Sequence, residues 1–250
     1  MQLWRAHGLG NDYLVLESGE ALTPALVQAV CDRHLGVGSD GILEPVAGRD
    51  GAPYGLRIHN PDGSQAEKSG NGLRIYAHWL VHRRGAASSF AVWTPGGTVG
   101  CAVQGEQVRV EMGAARVWGP DVLAGEAAWR VDVGNPHAVI FAWPDDWRAR
   151  GAVVEGSVPG RTNVQFVRVH EGRVEARIWE RGAGETRSSG SSACAVAAVC
   201  GARGLVGSAV RVHMEGGALD VELGPSLTLR GPVEAVGVVV VEPGWVARRS

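Results

Sequence analysis

Ser69 and Ser189 are each followed by glycine, and each stands at the same place in two stretches of chain offset by 120 residues. Arg57-Ile58 answers to Arg177-Ile178, Ser69-Gly70 to Ser189-Gly190, Ala77 to Ala197, Ser88 to Ser208, and Gly96-Gly97 to Gly216-Gly217, with no insertion between them. A duplicated unit predicts two like lobes. Packed face to face, such lobes would set the matched serines across one cleft, the geometry needed to work on both faces of a single carbon atom. Each Ser-Gly pair precedes a helix-forming run, so backbone N–H groups and the positive end of the macrodipole converge beside each hydroxyl. A carboxylate could be held between two such helix mouths without any arginine. Singly, each serine reads as an ordinary N-cap; as a symmetry-related pair in glycine-rich, polar loops, the two read as functional.

The elements that position these residues are mostly strands and turns. Short apolar or alternating runs at 13–16, 108–112, 131–133, 138–141, 164–169 and 174–179 read as strands. Thr94-Pro95-Gly96-Gly97 and Met214-Glu215-Gly216-Gly217 read as hairpin turns. Helices are expected over 24–34, with Thr23 as N-cap and Pro24 at the first helical position, and over 71–83 and 191–203. The last of these is apolar nearly all round, as a helix enclosed by a curved sheet should be. The expected class is therefore α+β: two pseudo-symmetric lobes, each a mostly antiparallel sheet wrapped around a buried helix. The first lobe would take residues 1–115 with a returning strand in 235–250, and the second 116–234.

At 250 residues the chain can form two cores, and its 45% hydrophobic content and net charge of −2 exclude both disorder and a nucleic-acid partner. Cys31, Cys101, Cys194 and Cys200 lack CxxC spacing, which leaves no zinc or redox motif and predicts reduced, buried thiols. The first residues form no signal-peptide run and no stretch is long enough to span a membrane. The expectation is a cytoplasmic protein with a small-molecule partner, no membrane and no metal, a homodimer being left open.

Six successive segments resemble the motifs of the diaminopimelate epimerase family: Gly8-Leu9-Gly10-Asn11-Asp12-Tyr13, residues 32–38 (Asp-Arg-His-Leu-Gly-Val-Gly), Asn60-Pro61-Asp62-Gly63-Ser64, residues 70–74 (Gly-Asn-Gly-Leu-Arg), Gly134-Asn135-Pro136-His137, and residues 179–186. They stand in the family's order over nearly the whole chain. The resemblance implies a two-lobed fold and the inversion of one stereocentre of LL-diaminopimelate to the meso form, without pyridoxal phosphate or any other cofactor. One residue removes the α-proton from one face and its partner protonates the other. It implies substrate contacts at Asn11, Asn60, Asn135 and Asn163, with Glu180 and Arg181 opposite, and anion sites at Gly70-Asn71 and Gly190-Ser191. His137 and Glu180 match residues that tune the catalytic pair.

The family's two catalytic residues are cysteines, and the matching positions here are Ser69 and Ser189. Cys194 lies five residues further along its helix and faces away from the helix mouth. A thiol of pKa ~8.5, lowered further beside a helix N-terminus, is an accessible base, whereas an alcohol lies nearer water at ~15.7. A gap of five or more units costs at least ~7 kcal/mol, about five decades in rate. Further departures are Gly41, where glutamine is frequent, and Ser192, where the motif has glycine. The sequence accordingly supports an epimerase with weak turnover, with His137 as first candidate for another base. It also supports an amino-acid-binding homologue without turnover, or another isomerase or dehydratase of the superfamily. The departures beyond the two serines argue against a deliberate cysteine-to-serine replacement.

Overall fold

In the computed structural model, which describes residues 1–249, the chain divides into two units. Unit 1 takes residues 1–110 and the segment from Pro232 onward, and unit 2 is Glu111–Gly231. These boundaries lie a few residues upstream of those read from the sequence. In chain order the first stretch carries β1 (Gln2–Gly8), β2 (Asn11–Leu16), α1 (Pro24–Cys31), β3 (Ile42–Ala47), β4 (Tyr54–His59), β5 (Gln65–Ala66), α2 (Gly70–Arg84), β6 (Ser89–Thr94), β7 (Gly97–Gln104) and β8 (Gln107–Gly113). Then come β9 (Arg116–Leu123), β10 (Glu126–Asp132), β11 (Pro136–Ile140), α3 (Trp147–Gly156), β12 (Asn163–His170), β13 (Arg173–Glu180), β14 (Gly184–Thr186), α4 (Gly190–Ala202), β15 (Ala209–Met214), β16 (Gly217–Glu222) and β17 (Leu227–Pro232). The chain closes with β18 (Glu234–Val240) and α5 (Pro243–Ala247).

The two units share one topology. In unit 1 the strand order is β18-β1-β2-β3-β4-β6-β7-β8, parallel only at β2–β3 and β4–β6, with β5 beside β4. In unit 2 it is β9-β10-β11-β12-β13-β15-β16-β17, parallel only at β11–β12 and β13–β15, with β14 beside β13. Parallel neighbours need a crossover. In both units a helix lies in each crossover: α1 and α2 in the first, α3 and α4 in the second. The equivalent of β9 in unit 1 is β18, supplied from the far end of the chain.

The sheet encloses α2 and α4, which explains their composition. All of Gly70–Leu80 is buried in α2, and Gly190 and Ser192–Cys200 are buried in α4. An all-round apolar helix suits such a site, and α4 meets it with alanine, cysteine and valine. Beside these helices, Leu3, Leu14, Leu26, Val30 and Ile42 form a core in unit 1, and Ala138, Ile140, Trp147, Val164 and Phe166 one in unit 2.

Three differences from the sequence reading have physical causes. Helix α1 stops at Cys31 rather than His34, because the Asp32 backbone turns out of the helix and its carboxylate accepts from the His34 and Leu35 amides, both at 2.7 Å. Helix α3 was not foreseen: no side chain caps it and a glycine sits at its middle. The last strand begins at Glu234 and α5 follows it. Both turns form as two-residue hairpin loops, with Thr94 opposite Gly97 and Met214 opposite Gly217. Among the described residues no helix is long and apolar enough to cross a membrane.

Candidate active site

Ser69 and Ser189 cap α2 and α4 with nearly the same backbone, at φ −139°, ψ 121° and φ −147°, ψ 127°. The Ser69 Oγ accepts from the Gly72 amide at 3.1 Å, and the Ser189 Oγ from the Ser192 amide at 3.4 Å. Each hydroxyl therefore satisfies the third amide of its helix, while the Gly70, Gly190 and Ser191 amides open at the helix ends. Ser69 lies 3.3 Å from the Tyr13 hydroxyl and Ser189 3.4 Å from the Ser191 hydroxyl. Among the described residues of its own unit, neither serine is bonded to an imidazole or a carboxylate.

In unit 1 the Asn71 side chain donates to Asn11 Oδ1 at 2.9 Å, so two of the expected substrate amides meet beside Ser69 and Gly70. Asn60 is not bonded to them; its amide donates to Ser64 Oγ at 3.0 Å and closes the turn after β4. Gly41 has φ +154°, and a Cβ there would stand 2.5 Å from the His59 carbonyl oxygen and 2.7 Å from the Tyr13 ring. Tyr13 fills the space that a side chain at this position would need, and its hydroxyl reaches Ser69.

Unit 2 builds a different mouth. The strand registers place His137 where unit 1 has Tyr13. His137 is buried, its Nε2 2.8 Å from Asn135 Oδ1 and its Nδ1 3.0 Å from Gln165 Nε2. Gln165 Nε2 also donates to Ser192 Oγ at 3.0 Å, which gives a chain from Asn135 to the first turn of α4. Burial drives the His137 pKa from 6.5 down to about 3, so the ring is neutral. With Nε2–H donating to Asn135, its one lone pair is already taken by Gln165. This ring orients its neighbours; it is a poor stand-in for a missing base.

Asn163, also buried, donates to the Pro136 carbonyl at 3.0 Å and accepts from the Arg181 backbone amide at 3.0 Å. The exposed Arg181 guanidinium donates to the Gly160 carbonyl at 3.2 Å. Glu180 ends β13, and the turn after it is gripped by Glu155, whose carboxylate accepts from the Gly182 amide at 2.6 Å and the Trp179 indole at 2.8 Å. Glu155, Gln165, Tyr13, Asp40 and Arg74 were not singled out from the sequence. They act through contacts remote in the chain, and only Tyr13 and Arg74 lie inside a quoted motif. All four cysteines are buried and free of disulfides, and among the described residues no cluster of His, Cys, Asp and Glu could hold a metal.

Known proteins resemble this chain over most of its length. The family profile described as diaminopimelate epimerase matches residues 3–118 and 130–236. Diaminopimelate epimerase 2 of Nostoc sp. is 38% identical, with 89% of this chain and 88% of that protein covered. The diaminopimelate epimerase of Desulforudis audaxviator is also 38% identical, over 94% and 97%. Among solved structures, a hydroxyproline epimerase from Agrobacterium vitis with bound trans-4-OH-L-proline superposes with a TM-score of 0.78. At 17% identity over 98% of this chain and 94% of that one, it is a likeness of fold alone. The chain belongs to the diaminopimelate epimerase family.

Proposed function

We propose that the chain interconverts LL- and meso-diaminopimelate without a cofactor, in the supply of lysine and peptidoglycan precursors, with Ser69 and Ser189 in the acid and base positions. The observation that carries this reading is the paired cap geometry: two matched serines, each at the mouth of a buried helix, each in its own unit. On this reading one serine removes the α-proton and the other returns one, helix-end amides hold the carboxylate, and the asparagines with Glu180 and Arg181 hold the rest of the amino acid. Proton transfer is slow, because an alcohol must do the work of a thiolate and neither serine has a base beside it in its own unit. That second observation also favours an alternative, an amino-acid-binding homologue that has lost turnover.

Exchange of the α-proton into deuterium oxide and epimerisation of diaminopimelate separate the two readings. The parent should exchange measurably but slowly. Ser69→Cys with Ser189→Cys should raise both rates by several orders of magnitude, as the gap in acidity requires. Either single change should restore exchange without full inversion, because one thiolate abstracts from its own face while the other face lacks a competent acid. A double variant that binds diaminopimelate but exchanges no faster than the parent would refute the assignment of the two serines. A parent with binding and no exchange at all would leave the binding homologue as the function.

A further inference from the structure

Arg74 is one of the largest fully buried side chains among the described residues, and it lies in the second turn of α2, beneath the mouth that Ser69 caps. Its Nη2 donates to Asn71 Oδ1, and its Nη1 reaches the Pro232 carbonyl at 3.5 Å. Room for the guanidinium comes from Gly8, which faces Asn11 across β1 and β2: a Cβ at Gly8 would stand 2.8 Å from Arg74 Nη2. At the opposite end stands Asp40. Its Oδ2 accepts from Asn11 Nδ2 at 2.8 Å and from the Asp12 amide at 3.0 Å, and its Oδ1 from Arg33 Nη2 at 2.8 Å. Arg33 Nη2 also binds Asp12 Oδ1 at 2.7 Å, so the carboxylate is braced. Between the two ends lies the bond from Asn71 Nδ2 to Asn11 Oδ1.

The chain Asp40–Asn11–Asn71–Arg74 has one consistent direction. An ionised carboxylate only accepts hydrogen bonds and a guanidinium only donates them, whereas an asparagine amide can turn over with no change of shape. Asp40 requires the Asn11 nitrogen to face it, which turns the Asn11 oxygen to Asn71. Arg74 requires the Asn71 oxygen, which turns the Asn71 nitrogen to Asn11. Flipping either amide alone would oppose like groups at two contacts. Flipping both would set oxygen against carboxylate and nitrogen against guanidinium.

We propose that Asp40 and Arg74 are positioning residues that lock the amides of Asn11 and Asn71 head to tail, so that unit 1 meets an amino-acid ligand with one fixed set of donors and acceptors. The proposal rests on the reading of Asn11 and Asn71 as ligand-binding groups. Beyond the internal chain, Asn11 keeps one N–H for a carboxylate and one lone pair for an ammonium group. The lock is one-sided: at the matched positions of unit 2 stand Ser191 and Cys194, so no guanidinium anchors an amide there.

The test uses the full-length protein with Asp40→Asn, Arg74→Met, Arg74→Lys and Gly8→Ala. In the ligand-free protein, the side-chain amide resonances of both Asn11 and Asn71 should move in Asp40→Asn, although Asp40 makes no bond to Asn71. An unmoved Asn71 signal overturns the lock. Calorimetry with meso-diaminopimelate should show about tenfold or greater weakening in Asp40→Asn and in Arg74→Met, the range of a lost charge-assisted bond. Arg74→Lys, which keeps a donor-only end, should recover most of it. The Asp40→Asn/Arg74→Met double variant should lose less than the product of the single losses, because the four groups act as a unit. Multiplicative losses, or unchanged binding in Asp40→Asn, refute the proposal. If Arg74→Met does not fold, Gly8→Ala displaces the guanidinium with one methyl group and should weaken binding alike. A parent that fails to bind diaminopimelate counts against the proposed substrate, and the amide resonances then decide the lock.

Discussion

His137 carries its ring neutral inside unit 2, and that has a consequence for stability. Burial drives its pKa from 6.5 in the unfolded chain to about 3 in the folded one, so between those values the unfolded state holds the extra proton. The stability tied to the neutral ring is full above pH 6.5 and is lost as the pH falls toward 3. At pH 5 the loss is about 2 kcal/mol. Thermal melts from pH 7 to pH 5 should therefore fall more steeply for the parent than for His137→Gln, and equal slopes would show that the ring is not held neutral. Some slope remains in the variant, because His78, pushed by burial and by His82 to about 4, acts in the same direction. At this scale the sequence displayed the residues proposed to meet a ligand: most of them sit in or directly beside local motifs whose order can be read. It did not display the residues that orient them. Gln165 is one polar residue in an apolar strand until its amide is seen between His137 and Ser192, and Asp40 matters because of an amide 29 positions away.

The helices α2 and α4 put each serine to two uses, and the uses can be separated. As an N-cap, each hydroxyl contributes about 1 kcal/mol, so Ser69→Ala and Ser189→Ala should each lower stability by roughly that amount. Ser69→Asp keeps a capping acceptor and places a negative charge at the positive end of the helix dipole, so it should melt near the parent. The same charge would repel a carboxylate at the mouth. Ser69→Asp should thus be stable and fail to bind diaminopimelate in a thermal-shift titration that the parent passes, and retained binding would remove the α2 mouth as the anion site. Both helices were legible within a residue or two, because Ser-Gly and an apolar run mark their starts. Strands β2, β8, β10, β11, β12 and β13 were legible as well, from their short apolar or alternating runs. Helix α3, without a capping side chain, and the exposed β9, where Arg116, Gly119, Pro120 and Asp121 break the pattern, carried no signal that a single sequence makes visible.

At the scale of the molecule the duplication is complete but the chain is spliced unevenly across it. Unit 2 is one continuous segment from Glu111 to Gly231, whereas unit 1 closes only when β18 returns to pair with β1. That return also brings Val241 and Val246 into the core beside Leu3, Leu14 and Leu26. The constant offset made the repeat visible from Arg57 to Gly217. The strands before Arg57 drift out of register with their counterparts, so the sequence did not show that α1 and α3 or β18 and β9 correspond. The uneven splice predicts an uneven response to truncation. Ending the chain at Gly231 leaves one edge of β1 unpaired and strips apolar side chains from the core of unit 1, while the ladders that join β9 to β16 in unit 2 lose no residue. Two or three buried valines at about 1.5–3 kcal/mol each are comparable to the whole stability of a domain. Amide hydrogen exchange on the truncated protein should therefore find α2 and β1 unprotected and α4 and β12 still protected. Loss of protection in both units at once would mean that the two fold as one cooperative body, with β18 the closing element of the whole.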